Sequence, residues 1–251
     1  MNSNQPVAEM RARAVLLDVE GTTTPVEFVH EVLFPFARRH VREFIRQRQR
    51  SEEVLAYVSG LREQHRADVQ RALDPPAWRE GSGDCLVDSV TTYVHWLMDE
   101  DRKSTPLKSL QGKIWEAGYL DGSLRAPVYG DVSRAFVRWR GQGRGIYIYS
   151  SGSVLAQRLL FAHTTSGDLT GLIDGYFDTT TGAKASTDSY RSIGVRIRVP
   201  AAEVLFLSDV AAELDAAREV GMKTALCVRA GQTEPENPGH QTIFTFDVIF
   251  P

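Results

Sequence analysis

Two carboxylates, Asp18 and Glu20, stand one residue apart where the apolar run Leu16-Leu17 breaks into Gly21, Thr22, Thr23, Thr24 and Pro25. An ionised carboxylate is a nucleophile, and a second acid two positions on is able to carry a proton, so the pair suits group transfer with acid–base assistance. On a continuing strand, side chains at i and i+2 share one face. Taken alone, D-V-E-G-T is equally well a strand ending in solvated acids. Three further stretches change that balance. Ser150-Ser151-Gly152-Ser153 follows G-I-Y-I-Y and opens a leucine-patterned helix, offering hydroxyls and free backbone N–H groups to a phosphate oxygen. Lys184 lies in the glycine-containing T-G-A-K-A-S-T-D, ahead of another helix, and Asp209 closes V-L-F-L-S-D with Glu213 four residues beyond. Each has an ordinary reading: an N-cap for the serines and for Asp209, a solvated charge for Lys184. An acid pair, serines, a lysine and an acid at successive strand or loop ends are improbable as separate accidents.

The elements that must position these groups alternate. Ala14–Leu17, Gly145–Tyr149, Val204–Leu207 and Thr224–Val228 are short apolar runs that read as buried strands. Helix-patterned segments separate them, so the expected fold is α/β, a doubly wound parallel sheet, in which ligands collect at the carboxyl ends of the strands. Between Phe28 and Arg125 the pattern changes to charged helix formers, as in V-R-E-F-I-R-Q-R-Q-R, E-E-V-L-A-Y-V-S-G-L-R-E-Q and S-V-T-T-Y-V-H-W-L-M-D-E. Residues 28–125 are therefore expected to form a helical cap inserted after the first strand and seated over the strand ends. Residues 11–27 and 126–251 are left as the core domain.

Composition narrows the function classes. A chain of 251 residues, 42% hydrophobic, buries a proper core, and a formal charge of -3 gives no push toward nucleic acid or membrane. Only Cys85 and Cys227 are present, which excludes a disulfide framework or a cysteine-based zinc site and points to a reducing cytoplasm. The polar start M-N-S-N-Q-P is not expected to act as a signal peptide, and no window approaches a membrane span. The arginine-rich run R-R-H-V-R-E-F-I-R-Q-R-Q-R has no aromatic platform beside it and reads as a solvated face rather than an RNA-binding helix. Six scattered histidines form no metal-ligand spacing, and His163 is expected to end a helix.

In this order the motifs resemble the haloacid dehalogenase superfamily. More specifically, D-V-E-G-T-T-T-P-V-E-F-V-H-E-V-L-F-P-F, L-K-S-L-Q-G-K-I-W-E-A-G-Y, Y-S-S-G-S-V-L-A-Q-R-L-L-F and F-L-S-D-V-A-A-E-L-D-A-A are similar to signatures of the enolase-phosphatase family of methionine salvage. The resemblance implies a Rossmann-like core and a magnesium-dependent phosphatase acting through an aspartyl-phosphate on Asp18, with Glu20 as its acid and base. It implies one magnesium ion per subunit, held by Asp18, Asp209 and Glu20, the last through its backbone carbonyl. Lys184, Ser150 and Ser151 would hold the phosphate. The implied substrate is 2,3-diketo-5-methylthiopentyl-1-phosphate, enolised and then dephosphorylated to 1,2-dihydroxy-3-keto-5-methylthiopentene by a cytoplasmic monomer with no nucleic-acid or membrane partner. The cap would supply the methylthio pocket, with L-Q-G-K-I-W-E-A-G-Y as the stretch to search.

Other readings share this scaffold. A haloacid dehalogenase attacks carbon and needs neither magnesium nor a second acid, so Glu20 and Asp209 argue against it. A phosphatase of another small phosphorylated metabolite keeps every core motif and differs only in substrate. A catalytically silent binding protein would be expected to lose part of the acid constellation, and none is lost.

Overall fold

Six parallel strands form the central sheet of the computed structural model, which describes residues 11–102, 104–233 and 239–251. The polar N-terminal stretch lies outside the described residues. The strands are β1 (Ala14–Leu17), β2 (Gly145–Tyr149), β3 (Gly175–Phe177), β4 (Val204–Ser208), β5 (Lys223–Cys227) and β6 (Gln241–Ile243), ordered β3-β2-β1-β4-β5-β6. All four residues of β1 are fully buried, as expected for a central parallel strand covered on both faces. Ala14 and Leu16 pack with Tyr190, Ile193 and Leu214 in one apolar cluster.

The topology explains where a site must fall. From β1 the chain builds outward through β2 to β3, then returns to lay β4 on the other side of β1. The carboxyl ends of β1 and β4 thus flank the point where strand order reverses, and a crevice forms where the following loops diverge. Asp18 and Asp209 are the residues that directly follow those two strands.

The runs expected as strands are strands, with β4 one residue longer and β5 starting and ending one residue earlier than the apolar pattern indicated. Strands β3 and β6 were not expected. Each is three residues long at or near an edge, beginning with Gly175 or Gln241, so neither carries an apolar run.

The chain divides into two compact units, His30–Leu124 and the segments on either side of it. The first is helical, with α1 (Phe34–Arg48), α2 (Glu52–Gln70), α3 (Asp84–Asp99) and α4 (Thr105–Leu120), each of α1 and α2 packing against both α3 and α4. Three of the five α1 arginines are ion-paired: Arg38 with Asp99 at 2.7 Å, Arg42 with Asp88 at 2.5 Å and Arg46 with Glu43 at 2.9 Å. In α4, Trp115 donates its indole N–H to the Leu33 carbonyl at 2.8 Å. A Cβ at Gly118 would run into the Phe36 ring, so the Gly-Tyr end of the L-Q-G-K-I-W-E-A-G-Y stretch allows a close helix approach.

The sheet-bearing unit adds α5 (Gly130–Gly141), α6 (Val154–Ala162), α7 (Thr187–Ile197) and α8 (Ala211–Glu219). His163 caps the carboxyl end of α6, as its sequence position indicated. No helix among the described residues is long and apolar enough to cross a membrane.

Candidate active site

Strand β1 ends at Leu17, but its pairing with β4 runs one step further, the Asp18 N–H donating to the Leu207 carbonyl at 3.0 Å. The chain then folds on itself. The Val19 carbonyl accepts from the N–H groups of Thr22, Thr23 and Thr24 at 3.2, 2.9 and 2.9 Å, and the Gly21 N–H donates to the Thr24 carbonyl at 2.8 Å. Gly21 has φ +72°, and a Cβ there would run into the Asp209 carboxylate, so only glycine meets both demands. This corrects one expectation. Asp18 and Glu20 are not successive same-face positions of a strand; Glu20 sits half-buried in the turn, bridged to Thr24, because the Val19 carbonyl gathers the turn's donors and ends the strand.

Asp18 is 3% exposed and its carboxylate is tightly held. Oδ1 accepts from the Val19 N–H at 2.7 Å and from the Lys184 ammonium at 2.6 Å. Lys184 also reaches Glu213 Oε2 at 2.8 Å. The Ser208 hydroxyl stands 3.0 Å from Glu213 Oε2 and 3.3 Å from Asp18 Oδ2, with one proton to give to either. The loop that delivers Lys184 is fixed at three successive carbonyls. Tyr149 Oη donates to Gly182 O at 2.9 Å, Ser189 Oγ to Ala183 O at 2.7 Å and Tyr190 Oη to Lys184 O at 2.7 Å.

Burial alone would lower the Lys184 pKa, but the charges and hydrogen bonds of Asp18 and Glu213 outweigh it and keep the ammonium protonated. Burial, and then the charge of Asp18, push the Glu213 carboxyl up. The same two causes, in that order, push Asp209 up to about 6. Three acids share one lysine, an arrangement short of positive charge.

Asp209 follows β4, and its backbone N–H donates to Thr22 Oγ1 at 3.1 Å. Its Oδ2 accepts from Gln232 Nε2 at 3.4 Å, while its buried Oδ1 has no hydrogen-bond partner. Among the described residues, no group of three or more His, Cys, Asp or Glu side chains could hold a metal ion. The donor set expected for the metal, the Asp18 and Asp209 carboxylates with the Glu20 main-chain carbonyl, is of a different kind, all oxygen, and would suit a hard cation such as magnesium. The orphaned Oδ1, and the burial and Asp18 charge that together make Asp209 hard to ionise, fit a carboxylate able to bind a divalent cation.

Ser150 is 2% exposed at the carboxyl end of β2, beside β1, and Ser151 is exposed. Of the N–H groups expected to be free here, some are engaged. Gly152 N–H donates to Ser150 Oγ at 3.0 Å, Val154 N–H to Asp178 Oδ2 at 3.2 Å and Ala156 N–H to Ser153 Oγ at 3.3 Å, because a helix start packed on a sheet must satisfy its donors. Asp18, Lys184 and Glu213 are joined by direct contacts, and Asp209 joins them through the charge of Asp18. Sequence reasoning missed Thr22, Tyr149, Ser189, Tyr190, Ser208, Arg229 and Gln232. Their signals, a hydroxyl or amide in or near an expected strand or turn, are too common to single out.

The sequence pattern of haloacid dehalogenase-like hydrolases matches residues 12–221. The chain is similar to enolase-phosphatase E1 of Synechococcus elongatus, at 46% identity over 94% of this chain and 96% of that protein. It is also similar to enolase-phosphatase E1 of a Pseudomonas aeruginosa strain, at 43% identity over 96% and 99%. The crystal structure of the UTR4 protein of Saccharomyces cerevisiae matches with a TM-score of 0.76 and 35% identity, covering 94% of this chain and 99% of that one.

Proposed function

The chain belongs to the haloacid dehalogenase-like hydrolases and, within them, to the enolase-phosphatase family, and from that premise we propose that it is an acireductone synthase of methionine salvage. Its substrate is 2,3-diketo-5-methylthiopentyl-1-phosphate, enolised and then hydrolysed to 1,2-dihydroxy-3-keto-5-methylthiopentene and phosphate. The single observation that carries the phosphatase reading is the 2.6 Å contact of Lys184 with Asp18 at the carboxyl end of β1.

In the phosphoryl step, a carboxylate oxygen of Asp18 attacks phosphorus and the bond from phosphorus to the C1 oxygen breaks. The electron pair leaves on that oxygen, which takes a proton from Glu20. Glu20 then removes a proton from water as the water attacks the aspartyl-phosphate, releasing phosphate and restoring Asp18. Lys184, protonated and fixed by its loop, balances charge on the phosphoryl oxygens, and the Ser150–Ser151 segment holds the phosphate. Asp18, Asp209 and the Glu20 carbonyl would hold one magnesium ion per subunit, which supplies further neutralisation of phosphoryl charge. The helical unit inserted between β1 and β2 would supply residues that bind the methylthio group. The enzyme works as a cytoplasmic monomer on a small phosphorylated diketone, without nucleic-acid or membrane partners.

The test is phosphate release from the diketo phosphate, with magnesium and with chelator, while the absorbance of the enol product is followed. Enol absorbance and phosphate appearing together, both dependent on magnesium, are expected. Phosphate release confined to other small phosphate esters would replace this substrate assignment, and turnover indifferent to chelator would remove the metal.

A further inference from the structure

We infer that Gln232 is a positioning residue for the cation site: its amide holds Oδ2 of Asp209 and thereby leaves Oδ1 as the oxygen presented to magnesium. The inference rests on the magnesium reading proposed above.

The geometry fixes the direction of the amide. Gln232 Oε1 accepts the Arg229 N–H at 2.7 Å, and the Gln232 N–H returns a bond to the Arg229 carbonyl at 3.0 Å, closing a tight turn after β5. With its oxygen so engaged, the side chain has only its NH2 group to offer, and Nε2 lies 3.4 Å from Asp209 Oδ2. A donor facing a carboxylate pins it, whereas a flipped amide would set oxygen against oxygen. Gly21 completes the cradle. A Cβ added there would stand 3.0 Å from Gln232 Nε2 and would run into the Asp209 carboxylate. Asp209 is thus confined by glycine on one side and by the amide at Oδ2, and its buried Oδ1 is the atom left unpartnered. Outer partners of this kind orient ligating carboxylates, and removing one typically costs about 10–100-fold in metal affinity or activity.

Gln232→Met keeps the length of the side chain and removes both amide groups. Gln232→Asn keeps the amide but is one methylene too short to serve Arg229 and Asp209 together. Magnesium binding is measured by calorimetry on the enzyme without substrate, and the magnesium dependence of phosphate release is measured in parallel, with Tm as a check on folding. In both variants the magnesium Kd is expected to rise about 10-fold. The half-saturating magnesium concentration should rise in step, kcat should recover at saturating magnesium, and Tm should stay within a few degrees. Wild-type enzyme that binds magnesium while both variants bind it within twofold of wild type would overturn the inference alone. So would a loss of kcat that saturating magnesium fails to restore. Wild-type enzyme that gives no calorimetric signal and ignores chelator would overturn the magnesium reading, and this inference with it.

Discussion

Asp18 combines the lowest exposure among the site acids with a carboxylate whose two oxygens are differently held, Oδ1 by Lys184 and the Val19 N–H, Oδ2 by the Ser208 hydroxyl at 3.3 Å. That asymmetry suits a nucleophile that must be aimed. Because an amide cannot attack phosphorus, Asp18→Asn should abolish phosphate release while leaving the fold intact by circular dichroism; turnover near wild type would sink the assignment. Glu20 is to be tested for two steps at once. Glu20→Gln preserves size and removes the titrating proton, so phosphate release should fall by about 10²–10⁴-fold, the usual worth of acid–base assistance. Exchange of the substrate's C1 hydrogens with deuterium, followed by NMR, then tells whether Glu20 also serves enolisation. Exchange that persists assigns that base elsewhere, and phosphate release within a few-fold of wild type removes Glu20 from both roles. These two acids, Lys184 and Asp209 stood out in the sequence because they recur, with serines, at successive strand or loop ends, although each alone has an ordinary reading. The ion pair of Lys184 with Glu213 was not, since residues 29 apart meet only once α7 and α8 pack together.

At the scale of elements, two loops after strands do the positioning. The loop before α7 holds Lys184 through hydroxyls that belong to β2 and α7, so its shape is set by tertiary structure and no local turn motif announces it. Tyr190→Phe leaves the Lys184 carbonyl without its donor, a loss of about 1–3 kcal/mol for a buried group. It should also lower kcat/KM by about tenfold or more, since misplacing a group near the chemistry by an ångström costs up to about 10²-fold. A variant less stable yet unchanged in kcat/KM would show that the hydroxyl serves folding only. His240, next to β6, makes a different kind of link, with Nδ1 2.8 Å from Thr224 Oγ1 on β5 and Nε2 3.1 Å from Asp215 on α8. Burial, and then the nearby charge of Arg218, hold its imidazole below the usual range despite Asp215. A histidine depressed in the folded state binds fewer protons than in the unfolded chain, so its stabilisation is present above the unfolded value of about 6.5 and is lost as pH falls through the folded one. The Tm of wild type relative to His240→Gln should therefore fall between pH 8 and pH 5; a difference independent of pH would show that the imidazole does not titrate in that window. The sequence revealed the long apolar strands and the helical insertion. It concealed β3 and β6, whose three residues each pair with a neighbour strand without forming an apolar run.

Across the whole molecule, the site exists because chain reversal at β1 brings together loops far apart in sequence, and one buried arginine secures that convergence. Arg229 is 4% exposed. Its Nη1 pairs with Asp131 at 2.7 Å, and its Nε and Nη2 grip the Thr22 carbonyl at 2.8 and 2.7 Å. The guanidinium lies between the rings of Tyr129 and Phe246, 4.4 and 4.3 Å from their centroids, and Asp131 also accepts the Phe246 N–H. Four segments, the turn after Asp18, the start of α5, the end of β5 and the C-terminal region, thus meet at one cation. Sequence pattern could not show this, since a lone arginine after an apolar strand looks like any surface charge. Breaking a buried pair leaves a charge without its partner and costs about 3–5 kcal/mol, and here the Thr22 carbonyl loses both of its guanidinium donors as well. Arg229→Met should therefore lower the urea midpoint by the equivalent of at least about 3 kcal/mol with the m-value unchanged. Replacing Asp131 by Asn in the same chain removes the stranded charge and should recover part of that loss, while phosphate release stays low because the Thr22 carbonyl is still ungripped. Arg229→Lys discriminates further: it restores the charge opposite Asp131 but has no planar fork with which to hold Asp131 and Thr22 together. Stability in the lysine variant should recover more than kcat does. Equal recovery of both would show that the turn carrying Asp18 needs the charge of Arg229 and not its grip on Thr22.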